Sequence, residues 1–250
     1  MRIIISPAKK MKIDTDLMAI AQMPQFINET EQLLSLLKEL SYDELKAMWK
    51  CNDAIAEQNV KRIQNMNIKN NLTPAIYSYE GIQYQYMAPG VFQDEELAYL
   101  EQHLRILSGF YGMLRPLDGV TPYRLEMQGK LQGPGFKTLY QFWGSKLADQ
   151  LQTESNCILN LASKEYSKNI TPFLSEETRF ITCVFGQMVD GKIVEKATRA
   201  KMARGEMVRY MAERKITDVK DVRNFDRLEF VFSEEKSDES TYVFIYTEEK

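Results

Sequence analysis

One short stretch of the chain, residues 103–127, combines basic and phenolic side chains with glycine and proline. It reads HLRILSGFYGMLRPLDGVTPYRLEM, and its chemistry-bearing side chains are Arg105, Tyr111, Arg115, Tyr123 and Arg124. Guanidinium groups are planar and permanently charged, which suits them to phosphate or carboxylate, and the tyrosines can stack or form hydrogen bonds. The glycines and prolines favour a rigid, turn-rich loop. The stretch therefore predicts a loop that presents anion-binding groups, unless it only braces the fold through ion pairs with Asp118 and Glu126.

Two apolar runs lead directly into a serine and then a lysine. They are IISPAK at residues 4–9 and NLASKE at residues 160–165, and each begins like a strand that is buried on both faces. Ligands collect beyond the carboxyl ends of the strands in open α/β sheets. If the two strands are parallel, Ser6, Lys9 and Lys164 therefore lie at one basic cleft. If they are not, the lysines are ordinary solvated residues.

A basic segment lies near the end of the chain, where residues 192–215 hold eight lysines and arginines against three glutamates. At about 100° per residue, positions 197–214 predict a helix with one apolar stripe. The stripe consists of Ala200, Ala203, Met207 and Met211. Arg204 lies at the edge of the stripe and Lys201 further round the same side. We expect both side chains to face the cleft, although a basic run on a helix is also typical of a solvated face.

Glu126 and Glu165 each stand beside cationic or phenolic residues in the sequence. A carboxylate positioned by such neighbours can act as a general acid or base. Ordinary salt bridges are the alternative for both residues.

Other signatures lack the partners that their chemistry requires. Residues 186–192 match the spacing of a phosphate-binding loop, but Ile193 replaces the serine or threonine that binds magnesium. His103 is the sole histidine, and the three cysteines are far apart in the sequence, which argues against a metal site and a disulfide framework. We therefore expect no metal and no cofactor.

The elements that must position these residues follow from the hydrophobic pattern. The expected helices are residues 25–40, 41–49, 52–66, 94–107, 138–151 and 197–214. The expected strands are residues 2–6, 157–162, 228–232 and 242–246, with a hairpin over 180–194 that turns at Asp190-Gly191. No Gly/Ser/Pro linker divides the chain. We therefore predict a single α/β domain over residues 1–250, built around a mixed β-sheet with flanking helices and a helical lobe at roughly 25–66.

The bulk composition is typical of a soluble globular protein, with 250 residues, 44% hydrophobic, 27% charged and a net charge of −3. No apolar run is long enough to span a bilayer and no signal peptide is recognisable, so we predict a cytoplasmic protein with no membrane partner. The negative net charge argues against general attraction to nucleic acid. Any binding of a polyanion must therefore depend on a local basic cluster.

Five runs of the sequence together resemble the YaaA family of bacterial peroxide-stress proteins. They are IISPAK from residue 4, LSGFYGMLRPLDGVTPYRLEM from residue 107, LYQFWG from Leu139, NLASKEY from Asn160 and AKMARG from Ala200. The resemblance extends from the first strand to the last and covers nearly the whole chain. It implies a single α/β domain of unusual topology, a positively charged cleft, DNA binding, and a role in limiting peroxide damage by keeping free intracellular iron low. It also implies a helix-hairpin-helix element in the middle, where glycine amides of Gly109-Phe110-Tyr111-Gly112 would cap a DNA phosphate.

These lines of reasoning favour a DNA-binding protein of the peroxide-stress response that engages distorted or partly single-stranded DNA. Phosphate contacts would make the affinity strongly salt-dependent, and stacking on a tyrosine would favour unpaired bases. The residues expected to bind DNA or another ligand are Ser6, Lys9, Arg105, Gly109, Tyr111, Gly112, Arg115, Tyr123, Arg124, Glu126, Lys164, Glu165, Lys201 and Arg204. The alternative is an enzyme that acts on a nucleotide or a nucleic-acid base in the same cleft, with Glu126 and Glu165 as its acid and base. Direct iron sequestration is poorly supported, because the sequence offers no ligand cluster.

Overall fold

Short apolar runs form the central strands of the structure, a computed structural model that describes residues 1–247. The strands are β1 (Arg2–Ile5), β2 (Lys10–Met11), β3 (Thr73–Pro74), β4 (Tyr79–Glu80), β5 (Leu104–Ser108), β6 (Gly112–Leu114), β7 (Gly119–Val120), β8 (Cys157–Asn160), β9 (Arg179–Val189), β10 (Lys192–Val194), β11 (Phe230–Phe232) and β12 (Thr241–Tyr246). The α-helices are α1 (Ile27–Glu39), α2 (Tyr42–Trp49), α3 (Asp53–Gln64), α4 (Ala75–Ser78), α5 (Ile82–Met87), α6 (Asp94–His103), α7 (Leu139–Trp143), α8 (Lys146–Glu154), α9 (Lys164–Ser167) and α10 (Ala197–Arg214). Short 3-10 turns lie at Pro89–Val91, Thr171–Phe173 and Val219–Asn224.

The main sheet is mixed and has the strand order β11-β12-β9-β8-β1-β5-β6, with β10 paired to the far end of β9. Its centre is parallel, since β1 pairs in parallel with both β5 and β8, and β9 pairs in parallel with β8 and β12. The edge strands β11 and β6 are antiparallel to their neighbours. The predicted α/β fold around a mixed sheet is confirmed. Because β1 and β8 are adjacent and parallel, their carboxyl ends lie side by side.

Several elements agree closely with the sequence pattern. The basic helix is α10, and its apolar stripe is buried in the core. The capping box expected at the start of α2 is present, with Ser41 and Glu44 bonded to each other's backbone amides. The hairpin between β9 and β10 turns at Asp190-Gly191, both with positive φ, as a two-residue turn of this composition requires. The expected lobe at 25–66 contains α1, α2 and α3.

The middle of the chain does not form the helix-hairpin-helix element that the family resemblance implies. The helix expected over 94–107 ends at His103, and residues 104–108 form β5, because their backbone pairs in parallel with β1 inside the sheet. The chain then turns into β6, so that Gly109-Phe110-Tyr111-Gly112 links two antiparallel strands instead of two helices. Gly112 has φ +73°, and an added Cβ would lie 2.6 Å from the Trp143 ring. Sheet pairing therefore outweighs the local pattern in this stretch.

The helix expected over 138–151 is divided in two. Gly144 has φ +50° and ends α7, and α8 begins two residues later. No helix within residues 1–247 combines the length and apolar character needed to cross a membrane. The predicted domain runs to residue 250, so its last three positions lie outside the described residues.

Candidate functional site

A cleft of about 420 Å³ lies beyond the carboxyl ends of β1 and β8. The segments that follow β1 and β8 are hydrogen-bonded to each other at the floor of the cleft. The Ser163 backbone N–H donates to Ser6 Oγ at 2.8 Å, and the two hydroxyl oxygens are 3.2 Å apart. The volume lies within the usual range for small-molecule sites. The predicted residues that line this cleft are Ser6, Lys9, Tyr123, Arg124, Glu126, Glu165, Lys201 and Arg204.

Helix α10 is brought to the cleft by close packing against α5. A Cβ on Gly205 would lie 2.0 Å from the Gln83 carbonyl oxygen, so glycine is required for the two backbones to touch. Arg204 precedes this contact and lines the cleft. From α5, Tyr84 Oη and Gln83 Nε2 donate to the Ser6 carbonyl oxygen at 3.0 and 3.3 Å. Sequence reasoning missed α5 because its six residues are too few for a periodic signal.

Two arginines supply guanidinium groups that are mostly buried in the cleft wall. The Arg124 side chain is 12% exposed, and its Nη2 lies 3.7 Å from Glu126 Oε1. The Arg204 side chain is 14% exposed, and its Nη2 lies 3.3 Å from Glu195 Oε1. Within residues 1–247, the Nε–H of each arginine is buried without a hydrogen-bond partner. An unsatisfied buried donor costs free energy, so small movements that bring an acceptor to either guanidinium group would be favourable.

Packing fixes the backbone of Arg124 as well. The indole Nε1 of Trp49, at the end of α2, donates to the Arg124 carbonyl oxygen at 2.6 Å. The Arg124 Nη2 in turn lies 3.5 Å from the Trp49 carbonyl oxygen. These two contacts therefore join the loop that carries Arg124 to the end of α2.

Lysines form the outer rim of the cleft. Lys9 Nζ lies 2.8 Å from Glu126 Oε2, and Lys10 Nζ lies 3.0 Å from Glu80 Oε2. Both lysines are largely exposed, as is Lys201 on α10. Exposed ion pairs are weak, so these ammonium groups can turn toward an incoming anion at little cost.

Two glutamates stand among these cations. Glu126 is 17% exposed at its side chain and contacts Lys9. Glu165 Oε1 accepts the Gln128 backbone N–H at 3.2 Å. Burial raises the pKa of Glu165, and the negative charge of Glu126 raises it further, while Lys9 opposes the change. The pKa of Glu165 therefore depends on the charge of its neighbour Glu126 as well as on burial.

Tyrosines form the deep wall of the cleft. Tyr123 Oη lies 2.6 Å from Ser108 Oγ and 2.8 Å from Tyr79 Oη, and burial raises the pKa of Tyr123 to about 12. Its ring stacks on Phe110 at a centroid distance of 5.0 Å. A base cannot stack on Tyr123 as expected, because the ring is 5% exposed and packs inside the core.

Four predicted ligand-binding residues are buried in the fold instead. Arg105 is 3% exposed, and its Nε and Nη2 both contact Glu154 Oε2 at 2.8 Å. Tyr111 has no exposed surface, and its Oη accepts the Thr121 backbone N–H. Gly109 lies in the turn between β5 and β6, Gly112 is the first residue of β6, and both are buried. The charge of Arg105 is balanced internally, so it joins none of the cleft chemistry.

Arg115 and Lys164 also lie outside the cleft. Arg115 is exposed and lines a second cavity of about 270 Å³, together with Arg105 and Asp118. Lys164 is the first residue of α9 and points its side chain to solvent next to Ser163. The expected convergence therefore includes Ser6, Lys9 and Arg204 but not these two residues.

Comparison with known proteins identifies relatives along the whole chain. The sequence model of a family described as "Peroxide stress protein YaaA" matches residues 1–236. A "UPF0246 protein" of Lachnoclostridium phytofermentans is 56% identical over 245 residues, which cover 98% of this chain and 96% of that protein. Proteins of the same name are 49% identical over 248 residues in Pediococcus pentosaceus, with 99% of each chain covered, and 52% identical over 244 residues in Agathobacter rectalis, with 98% of each covered.

Proposed function

Because the chain belongs to the YaaA family of peroxide stress proteins, we propose that it acts in the peroxide response by binding DNA in the cleft beyond β1 and β8. The observation that carries this proposal is the pair of guanidinium groups on Arg124 and Arg204, which are held in the cleft wall with donors unused. Guanidinium groups of this kind are well suited to phosphate oxygens.

The charge around the cleft supports an anionic ligand. Among the described residues, five cationic side chains line it against three carboxylates. The chain as a whole carries a net charge of −3. The excess of cationic side chains over carboxylates at the cleft therefore favours the binding of a polyanion there, against the negative charge of the chain as a whole.

The size of the cleft favours the binding of DNA that is unpaired or distorted. A cavity of about 420 Å³ is on the scale of a small-molecule site. A duplex cannot enter it, whereas a nucleotide displaced from the stack can. The duplex on either side of that nucleotide would then contact the exposed lysines of the rim.

The test is a comparison of labelled DNA substrates that differ in structure. The purified protein is incubated with a perfect duplex and with duplexes containing a bubble, an overhang or an oxidised base, and both retention and reaction products are scored. We expect tighter retention of the bubble and overhang than of the perfect duplex. Equal retention of all forms would contradict the preference for unpaired DNA, and absence of retention at low salt would contradict DNA binding itself.

A second candidate function is supported by Glu126 and Glu165. Two neighbouring carboxyl groups, one with a raised pKa, form the arrangement in which one acts as an acid and the other as a base. The same assay tests this candidate, because an enzyme acting on a nucleotide or base would convert the labelled DNA to a new product. Glu165→Gln would then abolish the product while retention persisted.

The proposed role extends to limiting free iron and DNA damage under peroxide. Its test is made in cells that lack the gene and carry either the natural protein or Arg204→Ala. We expect lower chelatable iron and fewer DNA lesions after peroxide with the natural protein than with the variant. Equal iron levels and equal numbers of lesions in the two strains would contradict a role of the cleft in limiting iron.

A further inference from the structure

Two of the three carboxylates that line the cleft, Glu126 and Glu165, are out of place in a site that binds only phosphate. Like charges repel strongly where water is partly excluded, and both Glu126 and Glu165 are partly buried. Each is nevertheless fixed in position: Glu126 by the Lys9 ammonium group at 2.8 Å, and Glu165 by the Gln128 amide at 3.2 Å. A carboxylate oxygen has two lone pairs, so both groups keep the capacity to accept further hydrogen bonds. A ligand that suits this cleft must therefore bring N–H donors as well as anionic groups.

We propose that Glu126 and Glu165 accept the Watson–Crick N–H groups of an unpaired guanine, while Arg124 and Arg204 bind the adjacent phosphates. The proposal rests on the DNA-binding function proposed above and names the base that the same site selects. Its basis is the juxtaposition, in one cleft, of acceptor-only side chains with guanidinium groups that have unused donors.

The edges of the four bases differ in a way that matches this arrangement. Guanine presents the N1–H and the N2 amino group next to each other, so two donors face the same direction. Adenine and cytosine each place a ring nitrogen acceptor beside their amino group, and thymine flanks its one N–H with two carbonyls. An ionised carboxylate would face a lone pair on each of these three bases. A well-made pair of hydrogen bonds to a base edge is worth about 5- to 150-fold in affinity.

The first experiment varies the DNA and leaves the protein unchanged. Fluorescence anisotropy at constant salt measures Kd for duplexes that carry a single bulged guanine, adenine, cytosine or thymine in the same flanking sequence. We expect the guanine bulge to bind at least about 5-fold more tightly than each of the others. Inosine, which lacks the 2-amino group, should lose most of this preference, whereas 7-deazaguanine, whose Watson–Crick edge is intact, should keep it.

The second experiment varies the carboxylates. Glu126→Gln and Glu165→Gln replace an acceptor oxygen with an NH₂ group that faces the N–H groups of the base. Each should therefore reduce the guanine preference, measured as the ratio of Kd values for the four bulges with the same variant, toward parity. The matched control is Glu95→Gln on α6, which removes one negative charge where Glu95 pairs with Lys215. This control should keep the full preference.

The outcomes separate this inference from the function on which it rests. Equal Kd values for the four bulges, or a preference that survives in inosine, would overturn guanine recognition while DNA binding stood. Absence of binding to every DNA at low salt would overturn DNA binding first. If circular dichroism shows that a glutamate variant is unfolded, the inosine and 7-deazaguanine comparison still decides the question with the natural chain.

Discussion

At the scale of single residues, the cleft depends on arginines that are held in place before a ligand arrives. Arg124 and Arg204 are both more than four-fifths buried, and each makes one ion-pair contact at 3.3 Å or longer. A side chain already fixed by packing loses little conformational entropy when it binds phosphate. Their contribution to binding should therefore exceed that of exposed lysines.

We expect Arg124→Ala and Arg204→Ala each to weaken DNA binding by about 1–3 kcal/mol, because each removes charge-assisted hydrogen bonds to phosphate. Kd values from fluorescence anisotropy, with circular dichroism to establish folding, provide the measurement. The control is Lys220→Ala, in an exposed 3-10 turn away from the cleft, which should bind like the parent. Folded arginine variants with the affinity of this control would show that the cleft binds another ligand.

The second cavity contains a buried carboxyl group, Asp118, whose titration we expect to change the stability of the fold. Asp118 is 2% exposed, and burial raises its pKa to about 6, although it accepts the Arg115 backbone N–H and the Gln22 amide at 2.8 Å. In an unfolded chain the same carboxyl titrates near 3.8. Between these values the folded state binds a proton that the unfolded state does not. This group therefore adds stability as pH falls from about 6 to 4, and that addition is absent above about 7.

Asp118→Asn should remove this dependence. The free energy of unfolding of the variant minus that of the parent should rise by an amount on the order of 2 kcal/mol from pH 4 to pH 7, because asparagine avoids the cost of a buried ionised carboxylate. Urea unfolding across this pH range measures the difference. Any fixed cost of the amide in the Arg115 and Gln22 contacts shifts all points equally, so a flat difference would contradict the assignment.

Residue types predicted part of the site and could not predict the rest. Ser6, Lys9 and Arg204 could be placed together because each follows from a strand exit or a helical stripe, and both signals are local. Arg105 has the same chemistry as Arg124, but whether a side chain is exposed depends on distant partners. Glu154, which neutralises Arg105, is 49 residues away, and no local pattern connects the two.

At the scale of elements, strand β5 shows that pairing with a distant strand can override the local sequence pattern. Residues 94–107 have a helical pattern, yet Leu104 and Ile106 pair with Ile3 and Ile5 of β1 and are fully buried. The long-range pairing of β5 with β1 is invisible to a local periodicity. In contrast, the β9–β10 turn follows directly from Asp190-Gly191, since the conformation resides in those two residues.

Two glycines with nearly the same backbone angle allow strain and packing to be separated. Gly112 has φ +73° and faces the Trp143 ring. Gly191 has φ +74°, and no atom of residues 1–247 outside its immediate neighbours lies within 4 Å of an added Cβ. Gly191→Ala should lower the free energy of unfolding by about 1 kcal/mol, from backbone strain alone. Gly112→Ala should lower it by about 2–4 kcal/mol, because the clash with Trp143 adds to the same strain.

Urea denaturation of the two variants and the parent measures this difference. Equal destabilisation by the two substitutions would show that the Trp143 ring moves aside freely. It would then be φ, and not the close approach of Trp143, that requires glycine at 112.

At the scale of the whole molecule, cationic side chains outnumber carboxylates in the cleft lining although the chain carries a net charge of −3. The chain is acidic overall, and the loop between β11 and β12 carries Glu234, Glu235, Asp238 and Glu239. The five cations of the cleft are set against this background. Long-range repulsion elsewhere should therefore orient DNA toward the cleft.

The salt dependence of binding follows from this arrangement. With at most five cationic side chains available, the slope of log K against log salt should be no steeper than about −4.5, at about −0.9 per phosphate. Arg204→Ala should make the slope shallower by about one phosphate contact. Titrations at several salt concentrations measure both values. A slope near zero, or one much steeper than five contacts allow, would contradict binding in the cleft.

The hydrogen bond from Trp49 to the Arg124 carbonyl should make the intrinsic fluorescence of Trp49 sensitive to binding in the cleft. The chain has two tryptophans. Trp143 is fully buried, with its indole N–H on the Gly109 carbonyl, whereas Trp49 is bonded to the backbone of a cleft arginine. We expect a phosphate bound to Arg124 to change the electric field at the Trp49 indole more than at the Trp143 indole. Binding in the cleft should therefore shift intrinsic emission without any attached label, and Trp49→Phe should abolish that shift while Trp143 continues to report unfolding.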